Sequence, residues 1–247
     1  MRINILTIFP EMFESVFASS ILGRAVKAGL LDISFTDIRA FSLQKHKNTD
    51  DYPFGGGAGM VMLAQPVIDA MASACSGMKH PRRIYLGPRG RKLSTSVARE
   101  LACEDELVLL CGHYEGVDQR AVDTCVDEEI SIGDYILTGG ELAAMVLVDC
   151  VSRFIPGVLG SSESPEDESF SDGLLEYPQY TRPREINGLA VPEVLLSGDH
   201  ARIREWRRKE SLRATACFRP DLLPLASLSK KDLEFIKELS QPCSSEN

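Results

Sequence analysis

Between residues 3 and 155 the chain switches repeatedly from short runs rich in β-branched residues to stretches whose apolar residues recur every three or four positions. Period-two and period-3.6 patterns cannot share one element, so the switching marks alternating strands and helices. Strands separated by helices pair in parallel, because each parallel neighbour needs a crossover. The expected strands are Ile3 to Phe9, a run around Leu31, Ile33 and Phe35, Ile84 to Leu86 ending at Gly87-Pro88, Glu106 to Cys111, and Glu129 to Ile132. Between them, helices are expected over Glu11 to Lys27, Gln65 to Ala74 with Pro66 in the first turn, Ser94 to Cys103 and Asp118 to Val126. A strongly apolar helix over Gly140 to Phe154 follows. The fold class is therefore α/β with a parallel sheet.

The alternation stops near residue 160. Residues 161–173 are rich in Ser, Glu and Asp, with little apolar content beyond Pro165 and Phe170, which is the composition of an exposed linker. Past it, His200 to Leu212, Pro220 to Leu225 and Ser229 to Leu239 have helical spacing, and Ser229 with Asp232 forms a capping box for the last of them. The expected organisation is an α/β domain over 1–160, an acidic linker over 161–173 and a small helical domain over 174–247.

Charge narrows the function. Lys and Arg total 27 against 36 Asp and Glu, a formal net charge of -9. A uniformly basic nucleic-acid coat is excluded, but a local patch is not. The stretch Arg202 to Arg213 supplies one: Arg202, Arg204, Arg207, Arg208, Lys209 and Arg213 against Glu205 and Glu210. Arg89-Gly90-Arg91-Lys92 is a second. The most apolar run, Ala143 to Val148, stops at Asp149, well short of a bilayer span. Ile3 to Phe9 is interrupted by Asn4 and followed by Pro10 and Glu11, unlike a signal peptide, so a cytoplasmic protein without membrane contact is expected. The cysteine count is 7, odd and without a C-x-x-C pair, which argues for reduced thiols.

Generic motifs are lacking. The run Gly55 to Gly59 is not followed by the Gly-Lys-Ser/Thr of a P-loop, and no G-x-G-x-x-G opens a helix after a strand. His113-Tyr114-Glu115 matches the H-x-E of zinc deaminases, but no P-C-x-x-C follows it. The four histidines have no metal-ligand spacing, and no metal site is expected from them. Glycines at strand ends are the distinctive feature: Gly87, Gly112 and Gly133, with Gly139-Gly140 opening the apolar helix. Ligands of parallel sheets bind beyond the carboxyl ends of strands, where glycine allows close backbone approach.

Longer motifs carry a resemblance. Asp50 to Met60 (DDYPFGGGAGM), Cys111 to Asp118 (CGHYEGVD), Ser131 to Glu141 (SIGDYILTGGE), Val151 to Gly160 (VSRFIPGVLG) and Tyr180 to Pro183 (YTRP) together resemble the bacterial tRNA (guanine-N(1)-)-methyltransferases of the SPOUT superfamily, from Met1 to about Leu239. The resemblance implies a SPOUT-type sheet with a deep trefoil knot, a homodimer with sites at the subunit interface, and a tRNA substrate. The implied reaction is methylation of N1 of the guanine 3′-adjacent to the anticodon, with S-adenosylmethionine as donor. Carried over by position, the donor pocket falls on Tyr85, Leu86, Gly87, Pro88, Gly112, Tyr114, Glu115, Gly116, Ile132, Gly133, Tyr135, Leu137, Gly139 and Gly140. Ala143 stands where relatives commonly have proline.

The chemistry asks for a base to take the guanine proton and a cation to stabilise charge moving onto the guanine oxygen. The resemblance places the cation at Arg153. It places the carboxylate immediately before Ser169-Phe170, where Glu168 stands instead of aspartate, with Asp167 as the alternative base. Glu115 is implied as a holder of magnesium or an orienter of the donor, and Glu176 as a contact to the donor amine. His46, Asp50 and Gly55 to Gly59 are candidates to line the pocket for the target base. Two other readings share some of these motifs, a SPOUT methyltransferase for another RNA position and a non-catalytic RNA-binding relative.

Overall fold

A computed structural model of the chain describes residues 1–159, 169–170 and 172–240. It divides into two compact units, Met1–Ser162 and Glu163–Asn247.

In the first unit β1 (Arg2–Thr7) leads through short helices α1 (Glu14–Phe17) and α2 (Ser20–Lys27) into β2 (Asp32–Asp37). A small hairpin of β3 (Asp50–Asp51) and β4 (Val61–Met62) precedes α3 (Ala64–Ala74). Then follow β5 (Arg82–Lys92), α4 (Thr95–Ala102), β6 (Glu106–Cys111), α5 (Gln119–Cys125), β7 (Glu128–Ser131) and α6 (Glu141–Ser152). The main sheet has 5 strands in the order β2-β1-β6-β5-β7, and every neighbouring pair in it is parallel. The chain thus leaves the β2 edge, starts again at β5, and fills the intervening gap with β6.

The strand pleat sorts the core into two faces. Ile3, Ile5, Ile84, Leu86, Leu107, Leu109 and Cys111 point to one side, beneath α2, α4 and α6. Leu6, Tyr85, Val108 and Leu110 point to the other, beneath α3 and α5. Both faces are covered, which is why β6 reads as an unbroken apolar run rather than an alternation.

Two elements differ from expectation. The helix expected over Glu11 to Lys27 breaks: Ala18 ends α1 and Ser19 is extended (φ -112°, ψ 158°) before α2 begins. Phe13, Phe17 and Phe35 cluster with centroid separations of 5.7 and 5.3 Å, which fixes α1 against β2. The turn at Ser19 then lets Leu22 and Ala25 reach the same core. The strand expected to end at Gly87-Pro88 continues to Lys92, with an irregularity between Leu86 and Arg91 where β5 pairs with β7. Glu129 accounts for this by accepting a hydrogen bond from the Arg89 backbone N–H (2.9 Å), which pins the bulged segment to β7.

The second unit contains a hairpin of β8 (Glu185–Ile186) and β9 (Leu189–Ala190), then α7 (Glu193–Leu196), α8 (His200–Phe218) and α9 (Lys230–Ser240). Asn187 and Gly188 turn that hairpin with φ of 55° and 78°, the left-handed pair that an Asn-Gly turn supplies. Helix α8 runs past the expected end at Leu212, where buried Thr215 donates to the Ser211 carbonyl (2.7 Å) and accepts from the Leu175 N–H (2.8 Å). The capping box is present: Ser229 N–H donates to Asp232 Oδ2 (2.9 Å) and Asp232 N–H to Ser229 Oγ (3.2 Å). The buried centre of this unit is small and partly polar: Leu174, Ser211, Leu212, Thr215 and Asp232. Among the described residues no helix is long and apolar enough to cross a membrane. The described cysteines are free, with Cys103 and Cys217 exposed; Cys243 lies outside the described residues.

Candidate active site

The irregular middle of β5 and the carboxyl ends of β6 and β7 open into a cavity of about 350 Å³. Its walls contain every residue assigned above to the donor pocket, from Tyr85 through Gly140. They also contain His113, Ile130, Ser131, Ile136, Thr138 and Ala143, which were not among the positions assigned to the pocket.

Three chain segments build these walls, and backbone bonds fix each of them. Residues 112–116 leave β6 in a tight turn, with Tyr114 at φ 59° and Gly116 N–H bonded to the His113 carbonyl (3.1 Å). Strand β4 holds that turn from outside: Met62 N–H donates to the Gly116 carbonyl and Glu115 N–H to the Met60 carbonyl, each at 2.9 Å. The segment after β7 is fixed by Ser131, whose Oγ bonds both the N–H and the carbonyl of Gly133 (3.2 Å). It then crosses back over the end of β6. Gly139 bridges to His113, and Gly140 N–H donates to the Gly112 carbonyl (2.8 Å). At Gly140 a Cβ would stand 2.8 Å from Cys111 Cα, so only glycine permits this crossing.

The cavity is apolar at its base and carboxylate-bearing at its edge. Tyr85 lies beneath it, and burial, aided by the Glu129 charge, raises its phenol above the ordinary value. Glu115 lies on the wall. Such a site suits a flat, partly polar ligand held by backbone groups. Arg153 is half-buried at the C-cap of α6, directly after the apolar helix. Glu168 and Asp167 lie outside the described residues. Among the described residues no group of three or more His, Cys, Asp or Glu could hold a metal ion. His46, Asp50 and Gly55 to Gly59 are not in the cavity wall.

The structure sharpens the reading of the basic patches. Arg89, Arg91 and Lys92 all have carboxylate partners, in Glu129, in Glu100 and Glu128, and in Asp134. That patch is a set of ion pairs from β5 to α4, β7 and the segment after β7. On α8, Arg208 is bound to Asp172 and Asp232, Lys209 to Glu205, and Arg213 to Glu210. Among the described residues no ion pair holds Arg202, Arg204 or Arg207. Arg204 and Arg207, with His200, Tyr177 and Glu176, line a second cleft of about 510 Å³ within the second unit. The Arg207 guanidinium stacks 4.7 Å from the Tyr177 ring, and its buried Nε has no hydrogen-bond partner.

Comparison with known proteins gives the family. A family model described as tRNA (Guanine-1)-methyltransferase TrmD matches residues 1–225. A protein of Geotalea uraniireducens (strain Rf4) named tRNA (guanine-N(1)-)-methyltransferase is 54% identical over 246 residues, covering 100% of both chains. Proteins of the same name are 57% identical in Ruminiclostridium cellulolyticum, over 90% of this chain and 96% of the other, and 55% identical in Geobacillus kaustophilus, over 96% and 98%. With the match running through both units and the strand-end cavity intact, the chain belongs to the tRNA (guanine-N(1)-)-methyltransferase family.

Proposed function

We propose that the protein transfers a methyl group from S-adenosylmethionine to N1 of the guanine 3′-adjacent to the anticodon of tRNA. The observation that carries this reading is the strand-end cavity, whose walls combine every donor-pocket position in a chain matched across both units. The cavity fits the donor: backbone groups of residues 112–116 and 132–140 face a concave, largely apolar space with one carboxylate beside it. The donor supplies a methyl group on a sulfonium, a good electrophile that needs positioning more than activation.

The residues of this chain divide the remaining work. Glu168, or Asp167 beside it, takes the proton from guanine N1. Arg153 stabilises the negative charge that the loss of this proton places on the guanine oxygen. Glu115 orients the donor. Arg202, Arg204 and Arg207 of α8, which no ion pair holds among the described residues, contact tRNA phosphates.

The reading includes the knotted chain path, supported by the way Gly139 and Gly140 cross over the end of β6. It also includes the homodimer. Leu142 and Val146, one helical turn apart on α6, are 49% and 47% exposed, and Ile136 nearby is 81% exposed. Such an apolar row is suited to a two-fold partner. Labelled-methyl transfer to a tRNA transcript with guanine after the anticodon, compared with one carrying adenine there, tests the reading. Transfer to the first alone is expected; equal labelling of both would overturn it.

A further inference from the structure

The scheme above leaves two polar side chains of the site without a role. Glu141 begins α6, is 2% exposed and keeps its carboxylate inside the protein. Its Oε1 accepts a hydrogen bond from Thr7 Oγ1 at 2.8 Å, and Thr7 Oγ1 in turn accepts from the Phe9 N–H at 2.9 Å. Its other oxygen, Oε2, faces His113 Nδ1 at 3.8 Å, too long for a hydrogen bond. Nδ1 is buried and has no hydrogen-bond partner.

A buried polar atom left unmatched beside a buried carboxylate is costly, and the cost disappears once the two meet. The imidazole has few alternatives, because Phe9 and Tyr114 each pack an edge-on ring 5.1 Å from it. Gly139 borders the gap between the two groups, and a Cβ on it would overlap both Glu141 Oε2 and His113 Nδ1.

The position of the pair gives the gap a meaning. His113 belongs to the wall formed by residues 112–116, and Glu141 directly follows the wall formed by 137–140. The two walls are tied at the backbone by the bridge from His113 to Gly139. With the backbones tied there, the open gap is set by how the two side chains turn towards each other beside the cavity. Closing it by about 1 Å brings Nδ1–H within donating distance of Oε2.

We propose that His113 and Glu141 form a positioning pair for methyl-donor binding: the filled cavity draws Nδ1 onto Oε2 and locks the two walls around the ligand. This rests on the reading of the cavity as the donor pocket. Glu141 is well placed for the task, since Thr7 anchors it to the end of β1 and the N-terminus of α6 favours its charge. The pair touches no reacting atom, so it acts on how the donor is held rather than on the proton transfer.

The test is calorimetric binding of S-adenosylmethionine to the full-length protein, with steady-state kinetics on tRNA. His113→Phe keeps a flat ring and removes Nδ1. It is expected to weaken donor binding about tenfold and raise the donor KM in step, with kcat and the tRNA KM changed less than about twofold. His113→Asn, which returns an N–H near the Nδ1 position, is expected to recover most of the loss. Glu141→Gln keeps the Thr7 bond, and combining it with His113→Phe is expected to add nothing to the loss from His113→Phe. Should the phenylalanine variant fold poorly, His113→Gln, which cannot place a donor at Nδ1, supplies the same contrast with His113→Asn. Normal donor binding by His113→Phe, or losses that multiply in the double variant, would overturn the pair while leaving the pocket reading intact. A wild-type protein that does not bind the donor would overturn the pocket reading itself, and the pair with it.

Discussion

The side chain of Glu115 lies directly against the bare Cα of Gly59: a Cβ built on Gly59 would overlap Glu115 Cγ and stand 2.8 Å from its Cδ. The glycine-rich loop therefore touches the cavity wall at the Glu115 side chain. Gly59 is also at φ 83°, a conformation that side chains other than glycine adopt at a cost.

Gly59→Ala is expected to push Glu115 off its seat and to strain the loop at the same time. Donor affinity should fall about tenfold or more, and the protein should lose about 1–2 kcal/mol of stability. Calorimetry with S-adenosylmethionine and thermal melts check the two effects separately. Gly56→Ala, with a similar φ of 79° and nothing within 4 Å of its Cβ position, should show the stability loss alone.

Turnover should separate from donor binding at Arg153. Arg153→Ala is expected to abolish methyl transfer while leaving donor affinity largely unchanged, because its assigned partner is the guanine oxygen. Single-turnover assays beside calorimetry give both numbers. An equal loss of donor affinity would place Arg153 at the donor instead.

The base is tested by a set of variants. Glu168→Gln should slow the chemical step about 10²-fold or more, Glu168→Asp should retain substantial activity, and Asp167→Asn should be mild. Single-turnover methylation decides between the two carboxylates. A severe Asp167→Asn with a mild Glu168→Gln would move the base by one residue.

Acid sensitivity of the sheet edge follows from Glu100. Hydrogen bonds from Arg91 and then Arg82 hold its carboxyl down to about 2, against an ordinary 4.5. A folded value below the unfolded one means that the ionised form is favoured in the native state. Its contribution is fully present above about pH 4.5 and is lost as pH falls towards 2. Thermal melts across that window should show Glu100→Gln less stable than wild type at neutral pH, with the difference shrinking to nothing near pH 2.

The glycines of the cavity were legible in the sequence because their chemistry is local, whereas its other lining positions came from the family resemblance. Glycines at strand ends sit beside the residues they serve, and the long motifs around Gly112 and Gly139 repeat that arrangement. What escaped depends on contacts between distant residues. Thr7 and Glu141 bond across 134 positions, and nothing in either neighbourhood announces the pair. The extension of β5 to Lys92 depends on Glu129, 40 residues from the Arg89 amide that it holds. On α8, counting charges could not reveal that Arg208 serves the fold: its partners Asp172 and Asp232 lie 36 and 24 residues away. By contrast, the Asn187-Gly188 turn carried a readable signal that the helical reading of the C-terminal region passed over.

The most direct test of the account is the identity of the methylated atom. A tRNA transcript with guanine after its anticodon is incubated with the protein and labelled S-adenosylmethionine, then digested to nucleosides and separated by mass spectrometry. In parallel, reverse transcription maps the position, since a methyl on N1 blocks the pairing edge. The account predicts one product, N1-methylguanosine, with a reverse-transcription stop at the nucleotide 3′-adjacent to the anticodon. A methyl on another atom, at another position, or on no nucleotide at all would contradict it.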